Sequence, residues 1–259
     1  MANLRLIARL DIKGPNLIKG IQLEGVRVVG DPQQFAVRYY EQGIDEILYM
    51  DAVASLYDRD MLVRIVERTA ENVFVPITVG GGLRSVEDVR QMLRAGADKV
   101  AINSAATHRP EIIDEVSQLF GSQCMVLQID AKRTTTGRWE VLRDCGREHT
   151  GLDAVEWARR GQELGAGEIL LTSVDSEGMR RGFDVALTRA VSEAVTIPVI
   201  ASGGMGRMDH LFQVVEQGGA DAVAMAHVFH YNQLTPQTVR AQALDRGLPV
   251  RRISGIGAP

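Results

Sequence analysis

Residues 78–103 read TVGGGLRSVEDVRQMLRAGADKVAIN, and residues 200–226 read IASGGMGRMDHLFQVVEQGGADAVAMA. Each stretch has the pattern of a buried strand, a Gly-rich turn, an amphipathic helix and a second strand. The offset between them is about 122 residues, and nearly the same offset carries LDIKG (10–14) onto IDAKR (129–133). Two matches at one offset, in chain order, indicate an internal repeat. We therefore predict a half-barrel duplication, with half-barrels at about 1–122 and 123–250.

Apolar segments typical of buried strands alternate along the chain with segments of helical periodicity. The predicted strands are 4–12, 46–52, 75–79, 98–103, 124–130, 168–173, 198–202 and 221–226. The predicted helices are 35–43, 59–72, 85–95, 109–120, 152–164, 184–195, 206–217 and 235–246. Strict alternation implies a parallel sheet with right-handed crossovers, and eight such units can close into a barrel. The expected fold class is α/β, a single (β/α)₈ TIM barrel domain over residues 1–259.

Composition excludes several classes of partner. The formal charge of -4 and the pI near 5.8, with scattered Lys and Arg, leave no basic patch for nucleic acid. No apolar run approaches the roughly 18 residues that span a bilayer, and the N-terminal sequence lacks a secretion signal, so we expect a cytoplasmic protein without membrane contact. Cys124 and Cys145 form no CxxC pair, which suits a reducing compartment. The tail RRISGIGAP (251–259) has no assigned role and is compatible with disorder.

Two aspartates are the candidate catalytic residues. Asp11 and Asp130 end predicted strands one and five, so the repeat places them on opposite sides of the barrel mouth. Two carboxylates there can divide acid and base roles. A single strand-end Asp more often caps a loop, but the symmetry of the pair favours catalysis. Lys13 and Lys132 each follow an Asp by two residues. Either lysine could neutralise a phosphate or lower the pKa of a carboxyl group. A lysine that is simply solvated in a loop is the alternative.

The repeated Gly-rich turns are candidate phosphate sites. Backbone N–H groups at Gly81 and Gly82, and again at Gly203 and Gly204, can face an anion, which suggests a substrate with a phosphate at each end. Glycines that only form tight turns are the alternative. Further polar or Gly residues expected at the same mouth are Asn103, Ser104, Asp175, Gly178 and His227. Asn103 could instead cap a helix.

The five histidines lack an HExxH pattern or a carboxylate at ligand spacing, so we expect no metal site and no cofactor. His227 and His230 stand three residues apart just after the eighth predicted strand. One of them could approach a phosphate, although a surface histidine with satisfied hydrogen bonds is the more ordinary interpretation.

Nearly the whole chain resembles the cyclase subunit family of imidazole glycerol phosphate synthase, an enzyme of histidine biosynthesis. The most specific segments are 75–106, 121–133, 150–173 and 197–204. The resemblance implies that a glutaminase partner supplies ammonia, which passes through the barrel to a bisphosphorylated ribulosyl aminoimidazole carboxamide ribotide. Cyclisation and cleavage would give imidazole glycerol phosphate and an aminoimidazole carboxamide ribotide. Asp11 and Asp130 match the family's acid and base.

The resemblance also implies two features at the opposite, N-terminal end of the barrel. Arg5, Glu46, Lys99 and Glu168 match a ring of alternating charges that gates ammonia, with generic salt bridging as the alternative. Pro76, Asp98 and Gln123 match positions on the family's glutaminase-docking face. A heterodimer with a glutaminase subunit is therefore expected.

The chain departs from the family pattern near the catalytic aspartates. Arg9 stands where the family usually has a small residue, and strand alternation points it inward, so its expected partner is Asp11 or Asp130. Gln128 also replaces a small apolar residue and is expected to hydrogen-bond Arg9. Together the two side chains could narrow the ammonia path, because barrel interiors are packed. At the phosphate sites the altered positions are Glu177, Met179 and His227.

These departures keep three alternatives open. A paralogue that works with a glutaminase relative to supply ammonia for amidino-sugars of surface polysaccharide is the main one, and RLDIKGPNLIKG (9–20) resembles that branch. The sister isomerase of the histidine pathway shares the duplicated barrel, but 121–173 is more similar to the cyclase. A non-catalytic barrel is disfavoured because both aspartates and all four gate charges are present.

Overall fold

The computed structural model describes residues 3–52 and 59–253. Within them lie the strands β1 (Arg5–Lys13), β2 (Asn16–Ile21), β3 (Glu24–Gly30), β4 (Glu46–Asp51), β5 (Ile77–Gly80), β6 (Lys99–Ile102), β7 (Met125–Arg133), β8 (Trp139–Arg143), β9 (Glu148–Asp153), β10 (Glu168–Ser173), β11 (Val199–Ser202) and β12 (Ala222–Met225). The strands β1, β4, β5, β6, β7, β10, β11 and β12 pair in parallel in that order. Because β12 pairs back onto β1, with Arg5 opposite Ala222, the sheet closes. The predicted (β/α)₈ barrel is confirmed.

Helices follow the barrel strands. They are α1 (Pro32–Glu41), α2 (Arg59–Ala70), α3 (Val86–Arg94), α4 (Ser104–His108), α5 (Glu111–Phe120), α6 (Ala154–Glu163), α7 (Val185–Ser192), α8 (Met208–Glu216), α9 (His227–His230) and α10 (Pro236–Asp245), with a 3₁₀ turn at Ser122–Cys124. In α3, Ser85 and Asp88 form a capping box, and Val89 and Met92 are buried on the inner face. No helix in the described ranges combines the length and apolar character needed to cross a membrane.

The barrel interior is layered. Because alternate strand residues share a face, β1 turns Arg5, Ile7, Arg9 and Asp11 inward, from the floor to the mouth. The middle layer is an apolar cluster of its own, formed by Ile7, Leu48, Met50, Ala101, Val126, Leu170, Ile200, Ala222 and Ala224. A larger apolar cluster lies between the outer strand faces and the helices. Polar groups are thus confined to the two ends of the barrel axis.

The sequence prediction missed additions that recur in both halves. The hairpin β2–β3 extends β1, with Asp11 opposite Ile18, and the hairpin β8–β9 extends β7, with Asp130 opposite Leu142. The short helices α4 and α9 directly follow β6 and β12. Much of these hairpins is exposed, so their sequences lack the buried apolar pattern that marks the barrel strands. Each catalytic candidate therefore lies at the base of a hairpin.

The start of the tail is ordered against the barrel floor. Leu4 forms a parallel bridge with Val250, and Arg251 donates through Nε to Asp45 Oδ1 at 2.9 Å. The fully buried Arg240 donates to the Arg251 carbonyl at 2.8 Å and pairs with Asp45 at 2.7 Å. Arg251 is thus hydrogen-bonded through both its backbone carbonyl and its side chain. Residues 254–259 lie outside the described residues.

Candidate active site

A cavity of about 560 Å³ lies at the carboxyl ends of the barrel strands. Asp11 at the end of β1 and Asp130 at the end of β7 both line it, as does Lys13. Other lining residues include Gly81, Gly82, Asn103, Ser104, Arg9, Gln128 and Glu177. Parallel strands end at the same rim, so Asp11 and Asp130, far apart in the sequence, meet in one site. The cavity has room for a substrate of metabolite size.

Asp130 is buried, and the side chains that donate to it within the described ranges are neutral amides. Asn103 Nδ2 donates to Asp130 Oδ2 at 3.0 Å, and Gln128 Nε2 lies 3.1 Å from each carboxylate oxygen. Burial raises the pKa of Asp130, and the nearby Arg9 charge and these two hydrogen bonds offset only part of that effect. A buried carboxyl with a raised pKa retains its proton to higher pH and suits a general acid.

Asp11 has the opposite electrostatic setting. Arg9 Nε donates to Asp11 Oδ1 at 2.9 Å, and Lys19 Nζ lies 3.9 Å from Asp11 Oδ2. Burial alone raises the pKa of Asp11, but the charges of Arg9 and Lys19 outweigh burial and hold the pKa below its ordinary value. Asp11 is therefore a carboxylate over the ordinary pH range.

Arg9 is the most unusual group in the site because its guanidinium is buried at the barrel axis. Besides Asp11, its Nη1 donates to Thr172 Oγ1 at 3.1 Å and to Ser202 Oγ at 3.0 Å. The expectation that Arg9 pairs with Asp11 or Asp130 is confirmed, and the partner is Asp11. The expected hydrogen bond between Gln128 and Arg9 is wrong, since the Gln128 amide donates to Asp130 instead.

The two Gly-rich turns have similar backbones. Gly81 and Gly82 have φ of 94° and 69°, and Gly203 and Gly204 have φ of 90° and 116°. A Cβ on Gly81 would overlap the Asp51 carbonyl oxygen, and one on Gly204 would overlap the Gly182 carbonyl oxygen. Only glycine fits these positions without a backbone shift.

Space at the two turns differs. The Gly81–Gly82 turn opens into the main cavity beside Ser104, the first residue of α4. The Gly203–Gly204 turn borders a cavity of only about 20 Å³, which Gly178 and His227 also line. That volume holds about one water molecule.

A buried ion pair separates these two spaces. Lys19 on β2 contacts the Glu177 carboxylate, which lies beside the Gly203 turn. Only 5% of each side chain is exposed. Both residues, with Arg9, line the main and the small cavity. Sequence reasoning missed Lys19, because 158 residues separate it from Glu177 and no local motif marks the pair.

Two predicted site residues lie elsewhere. Lys132 is exposed on β7 and lines neither cavity. Asp175 is exposed, and its Oδ2 accepts from the Arg133 backbone N–H at 2.8 Å, so it supports the strand end. Asn103 occupies the N-cap position of α4 without a side-chain cap bond, so it positions Asp130 rather than capping the helix.

The four predicted gate residues meet at the barrel floor. Arg5 Nη1 lies 2.8 Å from Glu46 Oε2, and its Nη2 contacts Glu168 Oε1. Lys99 Nζ lies 2.9 Å from both Glu46 Oε2 and Glu168 Oε2, which closes a ring of alternating charge. Thr78 Oγ1 adds a hydrogen bond of 2.6 Å to Glu46 Oε1. A paired ring of this kind leaves no isolated buried charge.

The predicted docking residues lie at the same end of the barrel as the ring. Pro76, Asp98 and Gln123 are exposed and precede β5, β6 and β7. Two apolar side chains near them were not singled out from the sequence, because single exposed hydrophobics leave no pattern: Phe74 is 75% exposed and Leu119 is 59% exposed. Such side chains are typical anchors of protein interfaces.

The two histidines that follow β12 both contact aromatic side chains. His230 Nδ1 lies 2.7 Å from the Tyr39 hydroxyl, and burial lowers the pKa of His230 to about 4. His227 packs against Tyr231, with ring centroids 4.5 Å apart. Among the described residues, no group of three or more His, Cys, Asp or Glu side chains is arranged to hold a metal ion.

The chain is similar to known proteins of histidine biosynthesis. Residues 5–235 match the family model described as histidine biosynthesis protein. A relative from Legionella pneumophila, the imidazole glycerol phosphate synthase subunit HisF, is 66% identical over 209 residues, which cover 81% of this chain and 99% of the relative. The resemblance to the cyclase subunit is thereby confirmed. The chain belongs to the histidine biosynthesis protein family.

Proposed function

We propose that the protein is the ammonia-dependent cyclase subunit of an imidazole glycerol phosphate synthase, a lyase. It converts a bisphosphorylated ribulosyl aminoimidazole carboxamide ribotide to imidazole glycerol phosphate and an aminoimidazole carboxamide ribotide. The observation that carries the proposal is the shared cavity of Asp11 and Asp130, found in a chain 66% identical to a HisF subunit. Ring closure and C–N cleavage both need proton transfers, which two carboxyl groups on opposite strands can perform.

The substrate's phosphates are assigned to the two Gly-rich turns. Gly81, Gly82 and Ser104 hold one phosphate in the main cavity, with Lys13 as a nearby positive charge. Gly178, Gly203, Gly204 and His227 hold the other. Because the second cavity is about 20 Å³, the Lys19–Glu177 pair must separate or shift before a phosphate can enter there. The similar turns support descent of both halves from one half-barrel.

Ammonia is proposed to come from a glutaminase subunit bound at the barrel floor. The ring of Arg5, Glu46, Lys99 and Glu168 lies on the barrel axis below the apolar layer, so it controls entry from that end. Pro76, Asp98 and Gln123 provide the docking face, and Phe74 and Leu119 add apolar contact area. The partner is expected to cover this face as a heterodimer.

An ammonia-supplying paralogue for amidino-sugar synthesis is the second candidate. The observation that favours it is the buried Arg9, which occupies the axis between the apolar interior and the mouth and bonds Asp11, Thr172 and Ser202. The small second cavity also suits a ligand without a second phosphate. The relative's name supports the cyclase, which we therefore retain as the main proposal.

The deciding experiment is turnover of the purified chain with the bisphosphorylated substrate and a high concentration of ammonium salt, which replaces the glutaminase. Turnover that Asp11→Asn abolishes is the expected result. Folded protein without turnover at any ammonium concentration contradicts the cyclase and favours the paralogue. Addition of a glutaminase subunit and glutamine then tests the partner separately.

A further inference from the structure

Arg9 and Gln128 occupy equivalent positions in the two halves of the barrel. Each lies two residues before its aspartate, on the same face of its strand, and each donates to that aspartate. The donor atoms lie 2.9 Å from Asp11 and 3.1 Å from Asp130. The hydrogen-bond pattern is therefore repeated, whereas one donor is a cation and the other a neutral amide.

Both donors are buried, so the difference in charge between Arg9 and Gln128 acts strongly on the two aspartates. Arg9 is 4% exposed and Gln128 is 7% exposed, so water screens neither contact well. Burial would lower the pKa of Arg9, but Asp11, Glu177 and Asp130 outweigh burial and raise it, so the guanidinium stays charged. Its Thr172 and Ser202 contacts hold the group in place. Within the described residues Arg9 Nη2 makes no hydrogen bond to the protein.

We propose that Arg9 is a positioning residue that makes two equivalent strand-end aspartates unequal: it holds Asp11 as the proton-accepting carboxylate and leaves Asp130, bonded by neutral Gln128 and Asn103, as the proton donor. The two aspartates differ in this way even when no substrate is bound. The catalytic consequence of this difference rests on the proposed cyclase function. The exchange of one side chain between the halves would then exchange the roles of the aspartates.

The other titratable groups that face the pair reinforce this division. They are Lys19 on β2, Cys145 between β8 and β9, Glu177 after β10 and His230 on α9. Lys19 adds positive charge at Asp11, and Glu177 adds negative charge near Asp130. Burial raises the pKa of the Cys145 thiol and lowers the pKa of His230 to about 4, so both are neutral near pH 7.

The first test is titration of the aspartate carboxyl carbons by NMR in the full chain without substrate. Asp11→Asn and Asp130→Asn assign the two resonances. The comparison uses Arg9→Gln, which makes the halves alike, Arg9→Lys, which keeps a cation, and the exchange variant Arg9→Gln/Gln128→Arg. Thermal unfolding of each variant verifies that it is folded.

In the wild type we expect Asp11 to titrate below Asp130. Loss of the adjacent cation in Arg9→Gln should raise the Asp11 midpoint by about 1 to 3 pH units, and Arg9→Lys should restore most of the difference. In the exchange variant the order of the two midpoints should reverse. Equal midpoints in the wild type, or an Asp11 midpoint unchanged by Arg9→Gln, overturn the proposal. If Arg9→Gln does not fold, the wild type, Arg9→Lys and the exchange variant give the same decision.

The second test is the pH profile of ammonium-dependent kcat. Activity requires ionised Asp11, so a higher Asp11 midpoint in Arg9→Gln should move the acid limb to higher pH, and Arg9→Lys should return it. A purely structural role of Arg9 would lower kcat without moving the limb, which contradicts the proposal. If no variant turns over the substrate, the cyclase function fails while the carboxyl titration still decides the role of Arg9.

Discussion

The two ends of the barrel mouth are built alike and filled differently. At the Gly81–Gly82 end the turn opens into about 560 Å³, whereas at the Gly203–Gly204 end about 20 Å³ remains beside the buried Lys19–Glu177 pair. The backbone angles of the turns, the hairpins and the short helices α4 and α9 correspond between halves. The repeated backbone therefore forms two similar turns, and a few long side chains determine how much open space each turn has beside it.

The largest expected effect concerns the two catalytic candidates. Asp11→Asn and Asp130→Asn should each lower kcat by at least about 100-fold, because each removes a proton-transfer group while preserving shape. Steady-state rates with ammonium salt measure the loss, and circular dichroism verifies the fold. If only one substitution is harmful, the two halves do not share the chemistry, and the dyad assignment is wrong.

Glu177→Gln tests the closed end of the mouth. It leaves buried Lys19 with the more distant carboxylate of Asp11, 3.9 Å away, so the free energy of unfolding should fall by up to about 3 kcal/mol. Inorganic phosphate should recover more stability in this variant than in the wild type, because an anion can replace the missing charge. Denaturant unfolding with and without phosphate measures both effects.

The matched control for Glu177→Gln is Glu156→Gln, which removes an exposed partner of Arg159. It should change stability by less than about 1 kcal/mol, with no difference caused by phosphate. An equal response of the two variants to phosphate would mean that the anion does not bind at the Gly203 turn.

Alanine substitutions compare the two turns with a third glycine. Gly81→Ala and Gly204→Ala should each lower the free energy of unfolding by about 1 to 3 kcal/mol, because φ is positive and a Cβ overlaps a carbonyl oxygen. Gly137→Ala is the control, since Gly137 has φ of 82° and open space around it. Calorimetry should show the smallest loss of stability for Gly137→Ala. If Gly137→Ala loses as much stability as the other two variants, the positive φ angle, and not the close contact with a carbonyl oxygen, is the whole cause.

The smallest expected effect is at the floor. Thr78→Val removes the 2.6 Å hydrogen bond to Glu46 and should cost about 1 kcal/mol. The corresponding position in the second half, by the offset of about 122 residues, is the apolar Ile200 in the barrel interior. Chemical denaturation measures the change. A loss of several kcal/mol would show that Thr78 maintains the entire charge ring rather than one contact.

Much of the fold could be predicted because burial leaves a local pattern. The eight barrel strands and their helices were found from apolar periodicity, and Asp11 and Asp130 from their places at strand ends. The hairpins were missed because β3 is largely exposed and has no periodic apolar face toward the core. Element boundaries and exposed additions depend on tertiary contacts that periodicity does not contain.

The site was harder to predict because its key contacts join distant residues. Lys19 meets Glu177 across 158 residues, and Arg9 meets Ser202 across 193. Gln128 was assigned to Arg9 although it bonds Asp130, since alternation fixes the face of a strand but not the partner chosen there. Lys132 follows Asp130 in the same pattern as Lys13 follows Asp11, yet only Lys13 lines the cavity.

The pairing of β1 with β12 has a consequence for biosynthesis. Arg5 lies opposite Ala222, so the Arg5–Ala8 part of one edge of β1 has no strand partner until β12 (Ala222–Met225) has left the ribosome. Until then β1 pairs with β4 and, through Asp11–Lys13, with β2, while its Arg5–Ala8 part exposes hydrogen-bonding groups to any other strand nearby. Slow translation of the second half would prolong that exposure, so the yield of active protein should depend on how quickly the ribosome reaches residue 225.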